Sequence, residues 1–267
     1  MEDEMSGLRL YIRSMILQVR SSQQYRFNYF LTIFTVVFHY AVQLFAIWLT
    51  LSHYDNIRGW NIYEISFIYM FFVLSYGIMI TFFAGFRDFS VFVRNGDFDI
   101  LLVRPHSTLF QVLCGRLELT SIAQIASGIV LFVWCNYHLH IEWSLKNIFL
   151  LIQGIVGASI IQASLLLFWS SLSFWIVDTS ALVRFGWTLN SNYLTYPIEV
   201  FNKTAKWIFT VFPIAFISYY PANAILNKDE NGFGFIGQFT ILPSILFFAL
   251  VFLFWLYSIR HYNSTGN

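Results

Sequence analysis

Six long apolar runs, parted by short polar breaks, most constrain what this chain can fold into. They occupy about residues 27–51, 63–86, 109–137, 148–177, 185–201 and 235–259. A helix needs about 20 apolar residues to cross the hydrocarbon of a bilayer. Backbone polar groups in lipid must be satisfied inside the spanning element, so runs of this length read as helices. The sequence therefore predicts an all-α integral membrane protein with six transmembrane helices. Composition agrees: 58% of the 267 residues are hydrophobic and only 11% charged, where a soluble domain carries about 25% charge. No internal repeat or linker divides the chain, so residues 1–267 are expected to form one membrane domain.

Two further segments are apolar but too short to span. Residues 8–20 place Arg9, Arg13 and Arg20 on one side at helical spacing, with Ile12, Met15 and Val19 on another. An N-terminal helix lying in the membrane interface is expected there. The start, MEDEMSGLRL, lacks the basic region and small-residue cleavage site of a secretory signal. Residues 207–220 are broken by Pro213 and closed by Pro221. Broken backbone at membrane depth survives only under protein cover. Residues 203–222 are therefore expected to form outer re-entrant helices before the last span.

Basic residues set the orientation. With the N-terminus inside, Arg9, Arg13, Arg20, Arg26, Arg87, Arg94, Arg104, Arg116, Arg184 and Arg260 collect on the inner side. Arg58, Lys146, Lys203, Lys206 and Lys228 collect outside. This predicts both termini in the cytoplasm. All four lysines fall on the outer side, and nothing in the sequence explains that split.

Residues 87–105, reading RDFSVFVRNGDFDILLVRP, are the longest charged break between two runs. Arg87, Asp88, Arg94, Asp97, Asp99 and Arg104 cannot sit unpaired in hydrocarbon, where each costs about 2.5–3.5 kcal/mol or more. The stretch must face water. It is also rich in Phe89, Val91, Phe92, Phe98, Ile100, Leu101 and Leu102. Apolar residues among charges suit a docking surface through which a partner protein moves the neighbouring spans. Gly96, between two short helical pieces, is expected to take a backbone conformation that disfavours a side chain.

Most catalytic patterns are missing. The dipeptide Gly-Lys does not occur, so the chain carries no phosphate-binding P-loop. HExxH, CxxC and GxSxG are absent. His138 and His140, two apart, point away from each other on a helix. Cys114 and Cys135 read as small buried apolar residues. A net charge of +1 argues against a nucleic-acid partner. Two acids near membrane edges stand out. Glu118 reads as the partner of an inner arginine or as a pathway residue. Glu199 reads as a pathway residue or an interfacial one. The small residues Gly154, Gly157, Ala158 and Ser159 would let helices pack closely, within one chain or between two.

Specific strings add a resemblance. RNGDFDILLVRP resembles the G-D-F-D-x-L-L-x-R-P signature of one family of ABC-2-type permeases. YPIEVF, FPIAFISYYPA and the closing RHYNSTG resemble later blocks of that family in the same order. Asn263 within the last block and the segment 227–237 depart from it. The resemblance implies the permease subunit of an ATP-driven exporter in a bacterial plasma membrane. It would move an amphipathic or hydrophobic substrate, a drug, peptide, lipid or glycolipid, outward from the cytoplasm or inner leaflet. A separate cytoplasmic ATPase dimer would bind ATP and Mg, with no cofactor in this chain. A second permease chain, identical or paralogous, would complete the unit. Residues 88–94 and 98–103 would form the coupling region, with Arg87, Asp88, Arg94, Gly96, Asp97, Phe98, Asp99 and Arg104 as its characteristic residues. A stand-alone secondary transporter or channel would need buried mid-membrane charges and pseudo-symmetric halves. A membrane-embedded lipid-modifying enzyme would need clustered carboxylates or histidines at one face. Neither pattern is visible.

Overall fold

In a computed structural model, the described residues are 16, 26–53, 56–116, 118, 120–176, 178–193, 195–228 and 234–262. The expected interfacial helix at 8–20 lies outside them, Ile16 apart. The described chain is helical, with α1 (Arg26–Leu51), α2 (Ile62–Arg87), α3 (Phe89–Arg94), α4 (Asp97–Leu102), α5 (Thr108–Gly115) and α6 (Ser121–Leu139) in its first half. There follow α7 (Leu145–Ser171), α8 (Ser180–Tyr193), α9 (Lys203–Val211), α10 (Tyr219–Leu226) and α11 (Ile241–Ile259).

Among the described residues, five helices are long and apolar enough to cross a membrane: α1, α2 with its continuation α3, α6, α7 and α11. Two of them form the centre. In the most apolar window, 72% of the α2 residues and 67% of the α7 residues are buried, against 11% for α1 and 22% each for α6 and α11. The apolar outer faces of the other three have no protein cover among the described residues and suit lipid or a second chain.

Helices α2 and α7 run in the same direction. Gly154 lies against Phe71 and Pro221, where a Cβ would come within 2.9 Å of the ring and 2.8 Å of the proline. One turn on, Ser159 donates to the Ser75 carbonyl at 3.1 Å and Gln162 to Ser75 Oγ at 2.5 Å. At the far end Ser170 donates to the Phe86 carbonyl. Without a hydrophobic drive between helices in lipid, small residues and such hydrogen bonds hold spans together. Gly157 meets Ser244 and Thr240 of the α11 region. The small-residue face therefore serves packing within one chain. Helix α6 runs opposite to α2: Gly128 lies against Leu74, and His138 stacks on Tyr63 at 4.1 Å.

The sequence expectation is corrected at two runs. The third, 109–137, is two helices, with α5 and α6 separated by a break at 116–120 that carries Arg116 and Glu118. The fifth, 185–201, is not a continuous span. Helix α8 starts earlier, has 14 residues and ends before a 3₁₀ turn at Ile198–Val200. The segment still joins both ends of the bundle, because Asp178 pairs with Arg94 and Glu199 accepts from Tyr219. Pro197 lacks the N–H that would continue a helix.

Between α8 and α11 the chain makes a helical hairpin. Helix α9 leads into a buried 3₁₀ turn at Pro213–Ile217, and α10 returns. Pro221 does not close the hairpin, as the sequence suggested. It lies in the first turn of α10, where its missing N–H costs little. The turn and α10 are buried against α2 and α7, the cover that a broken backbone at depth requires.

Candidate functional site

Two ends of the bundle carry the polar chemistry. Arg87, Arg94, Arg104, Arg116 and Arg260 gather at one end, Arg58 and all four lysines at the other. At the arginine end, α2 kinks at Phe83 (φ −118°, ψ 16°) one turn before Arg87. Arg87 then donates to Asp88 at 3.2 Å and to Glu118 Oε2 at 2.9 Å, and Arg116 pairs with Asp88 at 2.6 Å. Thr120 donates to Glu118 Oε1 at 2.5 Å. Burial pushes the Glu118 carboxyl up, but the Thr120 hydroxyl and the Arg87 and Arg116 charges outweigh it and hold it below the ordinary glutamate range. Glu118 is thus satisfied inside the chain, and it ties the 116–120 break to the end of α2.

Beyond this network, α3 and α4 form a short elbow. Gly96 joins them at φ 76°, a left-handed conformation that costs an L-residue about 1–2 kcal/mol. The elbow has two faces. Inward, Phe89, Val93, Phe98 and Leu101 are buried. Phe89 meets Trp255 of α11 at 4.9 Å and Phe174 at 5.4 Å, and Phe98 meets Phe174 at 5.3 Å and Tyr262 at 4.8 Å. Edge-on contacts dominate, the geometry that aromatic quadrupoles favour. The elbow is therefore fixed by aromatic contact to the last span and to the end of α7. Gln111 of α5 adds a clamp by donating to the carbonyls of Leu101 at 2.9 Å and His106 at 2.7 Å.

Outward, Val91, Ile100, Leu102 and Val103 are exposed, interleaved with exposed Arg94, Asn95, Asp97 and Arg104. Asp99 is half-buried between the faces. Arg94 pairs with Asp178 at 3.2 Å, and the Ser180 N–H donates to the same carboxylate at 2.9 Å. That backbone hydrogen bond comes first in holding Asp178 below the ordinary carboxylate range, with Arg94 and Arg184 assisting.

The structure thus splits the residues that the sequence grouped. Arg87 and Asp88 join an internal ion network with Glu118. Phe98 is fully buried and cannot touch a partner, so it belongs to the inward face. Arg94, Asp97 and Arg104 remain on the outward face, with Gly96 at the elbow's hinge. Glu199 lies at the lysine end, far along the chain from this group. Sequence reading missed Asp178, Thr120, Phe174, Trp255 and Tyr262. A six-residue helix is too short to show which of its faces turns inward, and Trp255 looked like any aromatic residue of an apolar run. Among the described residues, no group of three His, Cys, Asp or Glu could hold a metal ion.

The lysine end is built on a capped helix start. Asn61 Oδ1 accepts from the N–H groups of Tyr63 and Glu64, while Glu64 Oε2 accepts from the Asn61 N–H at 2.8 Å. Lys228 pairs with that Glu64 at 2.6 Å and sits 4.9 Å over the Trp60 ring. Beside it, α9, α10 and the turn at Ile198–Val200 line a half-open cavity of about 280 Å³, with Glu199 in its lining.

A family model described as ABC-2 family transporter protein matches residues 37–266, which takes in α2 to α11 and the whole elbow. No curated protein and no solved structure gives a significant match. The second part of α1, the other four spans, the elbow after α2 and the hairpin before the last span all lie within the matched residues, and this chain belongs to the ABC-2 family of membrane transporter proteins.

Proposed function

We propose that the chain is the permease subunit of an ATP-driven exporter, with the arginine end in the cytoplasm. A separate ATPase docks on the outward face of the elbow, and a second permease chain, identical or paralogous, completes the membrane unit. One observation carries this reading: a short two-helix elbow whose inner face is locked by aromatic contacts to the last span, while its outer face presents apolar and charged side chains to solvent. Force on the outer face would reach α11 through Phe89 and Trp255, and α2 through the Arg87 network. The excess of arginine at this end supports a cytoplasmic location.

The cargo is an amphipathic or hydrophobic molecule, a drug, peptide, lipid or glycolipid. A cavity of about 440 Å³ between α2, α7 and α8 supports that class, because it combines Leu165, Trp169 and Trp187 with Arg87 and Arg184. Such a cavity can hold an apolar body and an anionic end. Reconstitution in liposomes tests the proposal. Cargo movement requires the co-purified ATPase and hydrolysable ATP. Movement by this chain alone, without ATPase, would overturn it in favour of a secondary transporter.

A further inference from the structure

The cavity at the lysine end has features that a structural role does not use. Lys203 and Lys206 line it and, among the described residues, neither makes an ion pair. Two residues that line the same space carry a buried acceptor with no donor among the described residues. Asn223 is 4% exposed and its Oδ1 has no partner. Glu199 accepts from the Tyr219 hydroxyl through one carboxylate oxygen, and the other, Oε2, is buried and unpartnered. Native folds seldom leave such atoms unmatched. Two ammonium groups without anions and two acceptors without donors among the described residues, all on the lining of one cavity, describe the complement of a ligand. That ligand carries a negative group and, next to it, an N–H or O–H donor.

The wall adds a third property. Tyr219, Tyr220 and Trp207 border the cavity, and aromatic faces favour a cation. The rim adds a fourth: Trp207, Ile208, Val211 and Phe212 of α9 and its end are all at least 50% exposed. An exposed apolar strip next to a polar cavity, at one end of a bundle of spans, suits the interface between headgroups and acyl chains.

We propose that this cavity binds the headgroup of a membrane phospholipid with a primary ammonium, as in phosphatidylethanolamine. The phosphate lies between Lys203 and Lys206. The ammonium donates to the Glu199 carboxylate and the Asn223 amide oxygen, which turn toward it on binding, against the aromatic wall, and the acyl chains follow the exposed strip of α9. On the orientation proposed above, the lipid belongs to the outer leaflet. Binding itself does not depend on that orientation or on export, so its failure would leave the exporter reading standing. The placement also accounts for three of the four lysines: Lys228 holds Glu64 at the rim, while Lys203 and Lys206 await phosphate.

The test is native mass spectrometry of the delipidated full-length chain, titrated with phosphatidylethanolamine, phosphatidylglycerol or phosphatidylcholine. Phosphatidylcholine has the phosphate and a cation but no donor, so it should bind about tenfold more weakly than phosphatidylethanolamine, the loss of a charge-assisted hydrogen bond. K203Q/K206Q should weaken all three lipids by a similar factor. E199Q should abolish the preference for phosphatidylethanolamine while leaving phosphatidylglycerol binding in place, which a merely structural Glu199 would not do. Gel filtration and circular dichroism confirm that each variant is folded. Equal binding of the three lipids, or unchanged binding by folded K203Q/K206Q, overturns the proposal. Soluble phosphoethanolamine competing as well as the lipid would also overturn it, by assigning the cavity to a water-soluble phosphate ester.

Discussion

The two ends of the bundle treat charge in opposite ways. At the arginine end, Arg87, Asp88, Arg116 and Glu118 neutralise one another within 3.2 Å, and Arg94 finds Asp178. At the lysine end, Lys228 is paired, but Lys203 and Lys206 make no ion pair among the described residues and Glu199 keeps a bare oxygen. Arginine's planar fork suits fixed, bidentate networks, whereas lysine is a mobile point charge. One end meets most of its charges within the chain. The other is left incomplete by the chain's own residues. What remains open at the arginine end is the outward face of the elbow, together with the cavity between α2, α7 and α8 that Arg87 and Arg184 line.

Variants can break that contrast, beginning with the aromatic contacts. Phe89→Ala would empty a site enclosed by Phe98, Phe174 and Trp255. A loss of about 3–5 kcal/mol is expected, read as a large drop in melting temperature in detergent. Phe89→Leu, which refills most of the volume, should recover much of it. The next largest effect falls on the elbow. Gly96→Val forces a β-branched residue to φ 76° and should cost about 2 kcal/mol. It should lower ATP-driven transport more than it lowers melting temperature. Equal transport by this variant would show that the elbow's angle does not matter.

Glu118→Gln probes the ion network and should cost about 1 kcal/mol, because the pair is partly exposed. Its sign with pH is fixed. The folded carboxyl ionises more readily than the unfolded one, so its contribution is present above the ordinary glutamate range and fades as pH falls through the lowered folded value. The parent chain should therefore lose melting temperature on acidification more steeply than Glu118→Gln. Parallel profiles would remove Glu118 from the network. The smallest effect belongs to Arg94→Gln, whose partner Asp178 is exposed. No measurable change in melting temperature is expected, while ATPase binding should weaken. A clear drop in melting temperature with unchanged binding would assign Arg94 to stability alone.

Much of the fold was legible because membrane helices announce themselves by length and apolarity. Runs one, two and four form α1, α2 and α7 to within a few residues, and the sixth yields its first residues to a 3₁₀ turn at Gly234–Phe239 before α11. The third run passes through Arg116 and Glu118, whose charges mark the real break before α6. The fifth passes through Pro197, and Asn190, Ser191 and Asn192 thin its apolar character. At the site, Gly96 was legible from its place between two short helices. Its neighbours were not: the inward turn of Phe98 depends on Phe174, Trp255 and Tyr262, which are distant in sequence and joined only by packing. The gathering of lysines was visible as a one-sided count, but its cause needed the α9–α10 hairpin that brings Lys203, Lys206 and Asn223 around one cavity.

The central claim is that the elbow meets an ATPase with one face and the last span with the other. Site-specific photocrosslinking tests it most directly, with the photoreactive residue placed at Ile100 or Val103 on the outward face, or at Leu242 beyond the hairpin as a control. The account predicts ATPase adducts from Ile100 and Val103, strengthened or weakened when ATP is added, and none from Leu242. Absence of ATPase adducts at both elbow positions in a functional complex would contradict it.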